Sequence, residues 1–186
     1  RQAAKPAWPA GPRIAIVGMS CLVPGAGNAR DLWQRLLAKR GAISEIPEHR
    51  FDWRLYFDAD PQAADRIYSR WGGFLDEIPF DPRRFGIPPR SLKSISVSQL
   101  LTLEAASRAL DDAGYASGGF DRDDAAVIVG MSTTADLFHH YVTRSSLPLA
   151  VASPGADVFD RLPTWTEESF PGLLLNVTAG RVANRL

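Results

Sequence analysis

The side chains in this sequence that could do chemistry are few. Cys21 is the sole cysteine and the one intrinsically strong nucleophile. It directly follows an apolar run in "RIAIVGMSC", where a lone cysteine reads as a small buried hydrophobe. The loop that it opens, "GMSCLVPGAGN", invites a phosphate-binding reading. Its glycines miss the G-x-G-x-x-G spacing, and G-x-x-x-x-G-K-[ST] occurs nowhere, so a tight strand-to-helix turn fits better. Neither Gly18-Met19-Ser20 nor Gly130-Met131-Ser132 completes G-x-S-x-G, because position 22 is Leu and position 134 is Thr. His139 and His140 are adjacent, so on a helix they point about 100° apart and cannot grip one metal ion together. His49 stands alone among aromatics. One cysteine also rules out an intrachain disulfide and a multi-cysteine metal site. The residues by themselves give no complete catalytic constellation and no metal site.

Such a sparse inventory shifts attention to the elements. The chain has 186 residues, 45% hydrophobic and 23% charged, which is ordinary for a globular protein. Lys+Arg and Asp+Glu balance at 21 each, so no net field favours nucleic acid or an anionic membrane. No apolar stretch has the length of a membrane span, and "RQAAKPAWPAGP" lacks a signal-peptide apolar region. A cytoplasmic location is expected. The missing initiator Met and the uncapped end point to a segment of a longer polypeptide.

Residues 1–12 read as a linker, and residues 13–186 as one globular part. Ile14 to Val17 and Ala126 to Val129 look like strands buried on both faces, each ending in Gly-Met-Ser, which implies similar tight surroundings. Asn28 can cap a helix carrying Leu32, Trp33, Leu36 and Leu37 on one face and closed by Gly41. Residues 42–92, rich in Pro and aromatics, read as an ordered excursion. "SVSQLLTLEAASRALDDAGY" predicts a buried central helix, with Ser96 and Gln99 as a capping box and Gly114 as C-cap. Trp33, Leu36, Leu100, Leu103, Leu110, Val127 and Val129 are the expected core. "TADLFHHYVTR" is a short helix, followed by a loop in "SSLPLAVASPGAD". A last helix starts at Phe170-Pro171-Gly172 and runs to Leu186, with Asn176, Ala179, Gly180 and Ala183 forming a small-residue face for close approach. The alternation of helix and strand predicts an α/β class.

Several of these segments, taken in order, carry a family resemblance. "RIAIVGMSCLVPGAGNARDLWQRLL", "YSRWGGFLDEIPFDPRRFGIPPRSL", "SQLLTLEAASRALDDAGY", "AAVIVG" and "NVTAGRVANRL" together resemble the opening of the β-ketoacyl synthase domain of type I iterative polyketide synthases. The variants "FDPRRFGIPPRSL" and "WTEESFPGLLLNVTAGRVANRL" are most similar to the polyunsaturated fatty acid and heterocyst glycolipid synthase type. The pattern departs at Leu175, where the family has Gly.

The resemblance implies a thiolase-like fold of α/β/α/β/α layers, of which this chain would be most of the first half. It implies an acyltransferase that performs decarboxylative Claisen condensation. The nucleophilic cysteine, two histidines and a lysine would lie beyond residue 186, and Cys21 would not correspond to the nucleophile, leaving the segment alone inactive. Met131, Ser132 and Thr133 would line the acyl pocket, and Phe170, Leu173 and Leu174 would approach the acyl tunnel at a dimer interface. The implied partners are an acyl carrier protein bearing substrate on phosphopantetheine, a second copy in a homodimer, and other domains of the same polypeptide. No cofactor would be bound by the segment itself. Two alternatives stay open at this point. One is a non-condensing scaffold or chain-length partner; the other, a free-standing interaction module, would leave an apolar helix face in water.

Overall fold

The computed structural model describes residues 14–132 and 136–186, so the linker read at 1–12, together with Thr133, lies outside the described residues. Helix α1 (Ala29–Leu37) begins where the sequence places it. Asn28 is extended, and its side chain accepts the Asp31 N–H at 2.9 Å. Its end differs from expectation: Lys39, not Gly41, takes the left-handed conformation, at φ 54°. The Arg35 guanidinium donates to the Gly41 carbonyl at 2.6 Å and fixes the exit. The apolar stripe of α1 is open, with Trp33 at 59% and Leu36 at 60% exposure. Both were expected in the core, but no element covers that face among the described residues.

The aromatic excursion is ordered, as its composition requires. Strands β1 (Ile43–Glu45) and β2 (Trp71–Gly73) pair antiparallel, with Ile43 opposite Gly73 and Glu45 opposite Trp71. Trp53 is buried edge-to-face against Phe57 at 5.5 Å, and the Arg70 guanidinium lies 5.1 Å over the Trp53 ring. Short 3₁₀ turns at Pro82–Phe85 and Pro89–Ser94 then carry the chain into the core.

Helix α2 (Val97–Asp112) is the centre of that core. Leu103 is fully buried and packs with Phe85, Ile87, Ile95 and Val182; Leu100 and Val127 pack at the margin. Gly114, at φ 82°, ends the helix as predicted, and the Tyr115 N–H reaches back to the Leu110 carbonyl at 2.8 Å. The expected capping box is not formed: the Ser96 side chain makes no cap hydrogen bond, and Gln99 turns inward instead. Buried Glu104 accepts from Arg108 at 2.7 Å, and Arg108 also donates to the Gly27 carbonyl at 3.1 Å, tying the loop before α1 to α2.

The two strand-like segments join no ladder; the β1–β2 ladder is the one sheet among the described residues. Ile14, Ile16 and Ile128 are 92%, 85% and 93% exposed. Val127 and Val129 turn toward α2 and are half-buried, while Ile128 between them faces out, which is the period-2 pattern of a strand covered on one side. A strand buried on both faces needs neighbours on both edges and helices above and below. The described residues supply one face only. The two Gly-Met-Ser ends also differ. A Cβ on Gly18 would collide with the Ala109 carbonyl and the Ala113 side chain, whereas Gly130 has open space around it.

Helix α3 (Asp136–Ala150) runs through "SSLPLA", where the sequence pattern predicts a loop. Pro148 sits in its last turn and lacks the N–H that would bond the Arg144 carbonyl, so α3 keeps the proline at the cost of one backbone hydrogen bond. After α4 (Ala156–Asp160), the expected terminal helix is broken into α5 (Ser169–Leu173) and α6 (Val177–Arg185). Leu174 is extended at ψ 123°, because Gly172 lies against the Ser94 backbone, where any Cβ would collide with the carbonyl. Helix α6 buries Thr178 and Val182 against α2. Its small-residue face is open rather than packed: Gly180 meets nothing, and Asn176 and Ala183 are exposed.

Candidate functional site

The predicted pocket residues fall in separate places. Leu173 lines an apolar groove of about 290 Å³ between α3 and α5, whose other walls include Phe138, Tyr141, Val142, Leu149 and Trp165. Leu174 is half-buried in the α5–α6 break, and Phe170 is 65% exposed beside it. Met131 is half-buried and Ser132 exposed, and neither lines the groove; Thr133 lies outside the described residues. Of the predicted pocket residues, Leu173 alone lines this groove among the described residues, with Phe170 and Leu174 next to it in the same short stretch.

A buried set of hydroxyls fixes the groove wall. Ser169, wholly buried, bonds the Tyr141 hydroxyl at 2.7 Å and accepts the Thr166 N–H at 2.8 Å. The Thr166 hydroxyl meets that of Ser94 at 2.9 Å. The Trp165 and Tyr141 rings lie 4.2 Å apart. The chain α3–Ser169–Ser94 thus holds α5 to the turn that precedes α2. These hydroxyls have no base beside them and make a scaffold rather than a nucleophile.

The α3 face of the groove was legible in part. Phe138, Tyr141, Val142, Ser145 and Leu149 recur at helical spacing, but the Ser/Pro run obscured the continuation past Arg144. Arg144 donates to the carbonyls of Phe159 and Leu162 at 2.7 and 2.9 Å, which anchors the middle of α3.

A larger cavity, about 550 Å³, separates the two strand-like segments from α2 and α6. Its walls are mostly apolar, including Val17, Leu110, Val127, Val129 and Leu186, with Arg122 and Thr102 among the polar side chains, and it holds none of the predicted pocket residues. Such a lining is a core seam, not a site with convergent polar groups.

The candidate nucleophile is equally bare. Cys21 is half-buried and free, with no hydrogen-bond or ion-pair partner among the described residues. His49, His139 and His140 are exposed, and no cluster of His, Cys, Asp or Glu among the described residues could hold a metal. No described helix is long and apolar enough to cross a membrane.

Comparison with known proteins fits this geometry. The pattern of the family described as "Beta-ketoacyl synthase, N-terminal domain" matches residues 12–186. The chain is 30% identical to one of the subunits of the polyunsaturated fatty acid synthase of Thraustochytrium sp., over 92% of this chain and 7% of that protein. Among solved structures, the ketosynthase from module 6 of the bacillaene synthase of Bacillus subtilis is 39% identical, with a TM-score of 0.50 over 54% of this chain and 17% of that one. A β-ketoacyl synthase from Burkholderia phymatum, 18% identical, shares the fold with a TM-score of 0.59 over 90% of this chain and 35% of that one. The chain thus spans a small part of the relatives it matches, and its fold class is their thiolase-like α/β class. From residue 12 onward, this chain belongs to the β-ketoacyl synthase family as its N-terminal domain.

Proposed function

We propose that this chain is part of a β-ketoacyl-[acyl carrier protein] synthase that extends a polyketide or fatty acyl chain. The observation that carries the proposal is the family match over residues 12–186. In the reaction, a cysteine thiolate takes an acyl group from a carrier thioester and releases the carrier thiol. A malonyl carrier then loses CO₂. The resulting enolate carbon forms a C–C bond with the acyl carbon as its C–S bond breaks, returning the thiolate. Such chemistry needs a thiolate of lowered pKa and donors for developing negative charge on oxygen.

Those groups would lie beyond residue 186. Cys21 has no hydrogen-bond or ion-pair partner among the described residues, and the histidines are exposed. What these residues supply is shape. Leu173 and Leu174 would present an apolar wall to the acyl chain, with Met131, Ser132 and Thr133 contributing from the loop after the second strand-like segment. The exposed apolar side chains of Phe138, Leu149, Trp165 and Phe170 fit a homodimer surface beside it. The exposed edges of Ile14–Val17 and Ala126–Val129 would be covered as further residues of the domain complete a sheet. Substrate would arrive on the phosphopantetheine of an acyl carrier protein, with neighbouring domains of one cytoplasmic polypeptide acting in turn.

Mass spectrometry of the complete enzyme after incubation with an acyl-thioester tests the proposal. An acyl group on a cysteine outside residues 1–186 is expected. An acyl group on Cys21 contradicts it, and acylation nowhere in folded enzyme favours a non-condensing scaffold. This chain by itself is expected to take up no acyl group.

A further inference from the structure

We propose that Gln99 and Arg181 form a positioning pair that holds the Pro171–Leu174 backbone and thereby sets the shape of the acyl-facing wall. The proposal rests on the condensing-enzyme reading, in which Leu173 and Leu174 approach the acyl chain. Its starting point is the interruption between α5 and α6. At a helix end the last carbonyls lose their intrahelical partners and must find others. Here a single side chain from another helix supplies them. Gln99, only 1% exposed, directs Nε2 at the carbonyls of Pro171, Gly172 and Leu174, each at 3.0 Å. Its Oε1 accepts from the Arg181 Nε at 3.0 Å. The Ser96 N–H adds a bond to the Gly172 carbonyl at 3.0 Å.

The partners settle which way the amide faces. Carbonyls only accept and a guanidinium only donates, so Nε2 must face the break and Oε1 must face Arg181. Each end of the Gln99 amide is therefore committed. Burial draws the Arg181 pKa down and Arg185 adds to this, while Glu168 opposes it; the guanidinium remains a donor throughout.

The pair joins the rigid centre of the molecule to the break. Gln99 lies one turn before Leu103, the fully buried anchor of α2, so its backbone cannot follow a shift in α5. Arg181 lies one residue before Val182, which packs in the same core. Two helices thus grip the carbonyls on both sides of Leu173, and the side chains of Leu173 and Leu174 take their direction from that grip. No other buried amide side chain is found among the described residues.

The test is made in the complete condensing enzyme, with kcat/KM measured for a short and a long acyl-thioester. Gln99→Glu keeps an acceptor for Arg181 and places an oxygen where the three carbonyls need a donor. It is expected to change the short-to-long preference by about tenfold, the scale of a one-methylene misfit. Trp53→Leu, which loosens the aromatic excursion and leaves α2 and the break as they are, is expected to leave the preference unchanged per folded enzyme. Leu174→Trp reports on the wall itself. If Leu174→Trp changes the preference and Gln99→Glu does not, the positioning pair is overturned and the wall stands. Equal changes from Gln99→Glu and Trp53→Leu also overturn it, since the effect would then be general loosening. If neither Leu174→Trp nor Gln99→Glu changes the preference, the wall reading has failed and the pair falls with it. Should Gln99→Glu not fold, Arg181→Lys, which keeps the charge but not the Nε direction, is read by the same comparison.

Discussion

Two regions of similar apolar composition meet different fates in this molecule. Around α2, Phe85, Ile87, Ile95, Leu103 and Val182 close on one another, and polar Gln99 and Glu104 are buried with their partners in place. At Ile14–Val17 and Ala126–Val129, residues of the same chemical type stand 66–93% exposed at Ile14, Ile16, Val17 and Ile128. The difference lies in how far away the covering partners are. The turns at 82–94 and helix α6 reach α2 from within the chain, whereas a parallel strand needs neighbours delivered by long crossovers. Apolar character marks burial in the finished domain; it does not say which residues do the burying.

Leu103→Ala should have the largest effect, because it empties the centre of the closed region. A loss of about 2–5 kcal/mol is expected in urea unfolding, and a loss below about 1 kcal/mol would mean that the α2 core is not the stabilising centre. Gly172→Ala comes next, since its new Cβ meets the Ser94 carbonyl. About 1–3 kcal/mol of destabilisation is expected from such overpacking, read from the midpoint of the same curve.

Thr178→Val sharpens the comparison in the opposite direction. The Thr178 hydroxyl is fully buried and has no hydrogen-bond partner among the described residues. The carbonyl four residues back, Leu174, lies outside the helix and accepts from Gln99. An isosteric apolar replacement should therefore stabilise by about 1 kcal/mol, and clear destabilisation would reveal a partner for that hydroxyl. The smallest effect belongs to the open region. Ile128→Thr should change the stability of this chain by under about 0.5 kcal/mol, as surface substitutions do, but should cost more in the complete domain. Equal costs in the two proteins would break the contrast.

How much of this was legible beforehand depended on the range of each interaction. Asn28 and Gly114 act on residues three or four positions away, and both helix boundaries were read correctly. Leu103 was legible because α2 is apolar on so many sides. Trp33 and Leu36 carry the same kind of signal but find no partner among the described residues, so the pattern pointed to a core that this chain does not close. The break at Leu174 had no local cue. It arises because Gly172 packs on Ser94, about eighty residues earlier in sequence, and because Gln99 satisfies the freed carbonyls. The family was legible from the order of separated motifs. Leu173 lines the groove beside α3, but the walls that α3 contributes were hidden behind Pro148, a residue type that ordinarily argues against a helix interior.

Amide hydrogen exchange tests the contrast most directly, measured on this chain and on the same residues within the complete condensing domain. Residues 98–112 should be protected in both. Residues 14–17 and 126–129 should exchange rapidly in this chain and become protected in the complete domain, as a sheet forms along their edges. Slow exchange of residues 126–129 in this chain, or fast exchange of the same amides in the complete domain, would contradict the view that these segments are strands waiting for neighbours.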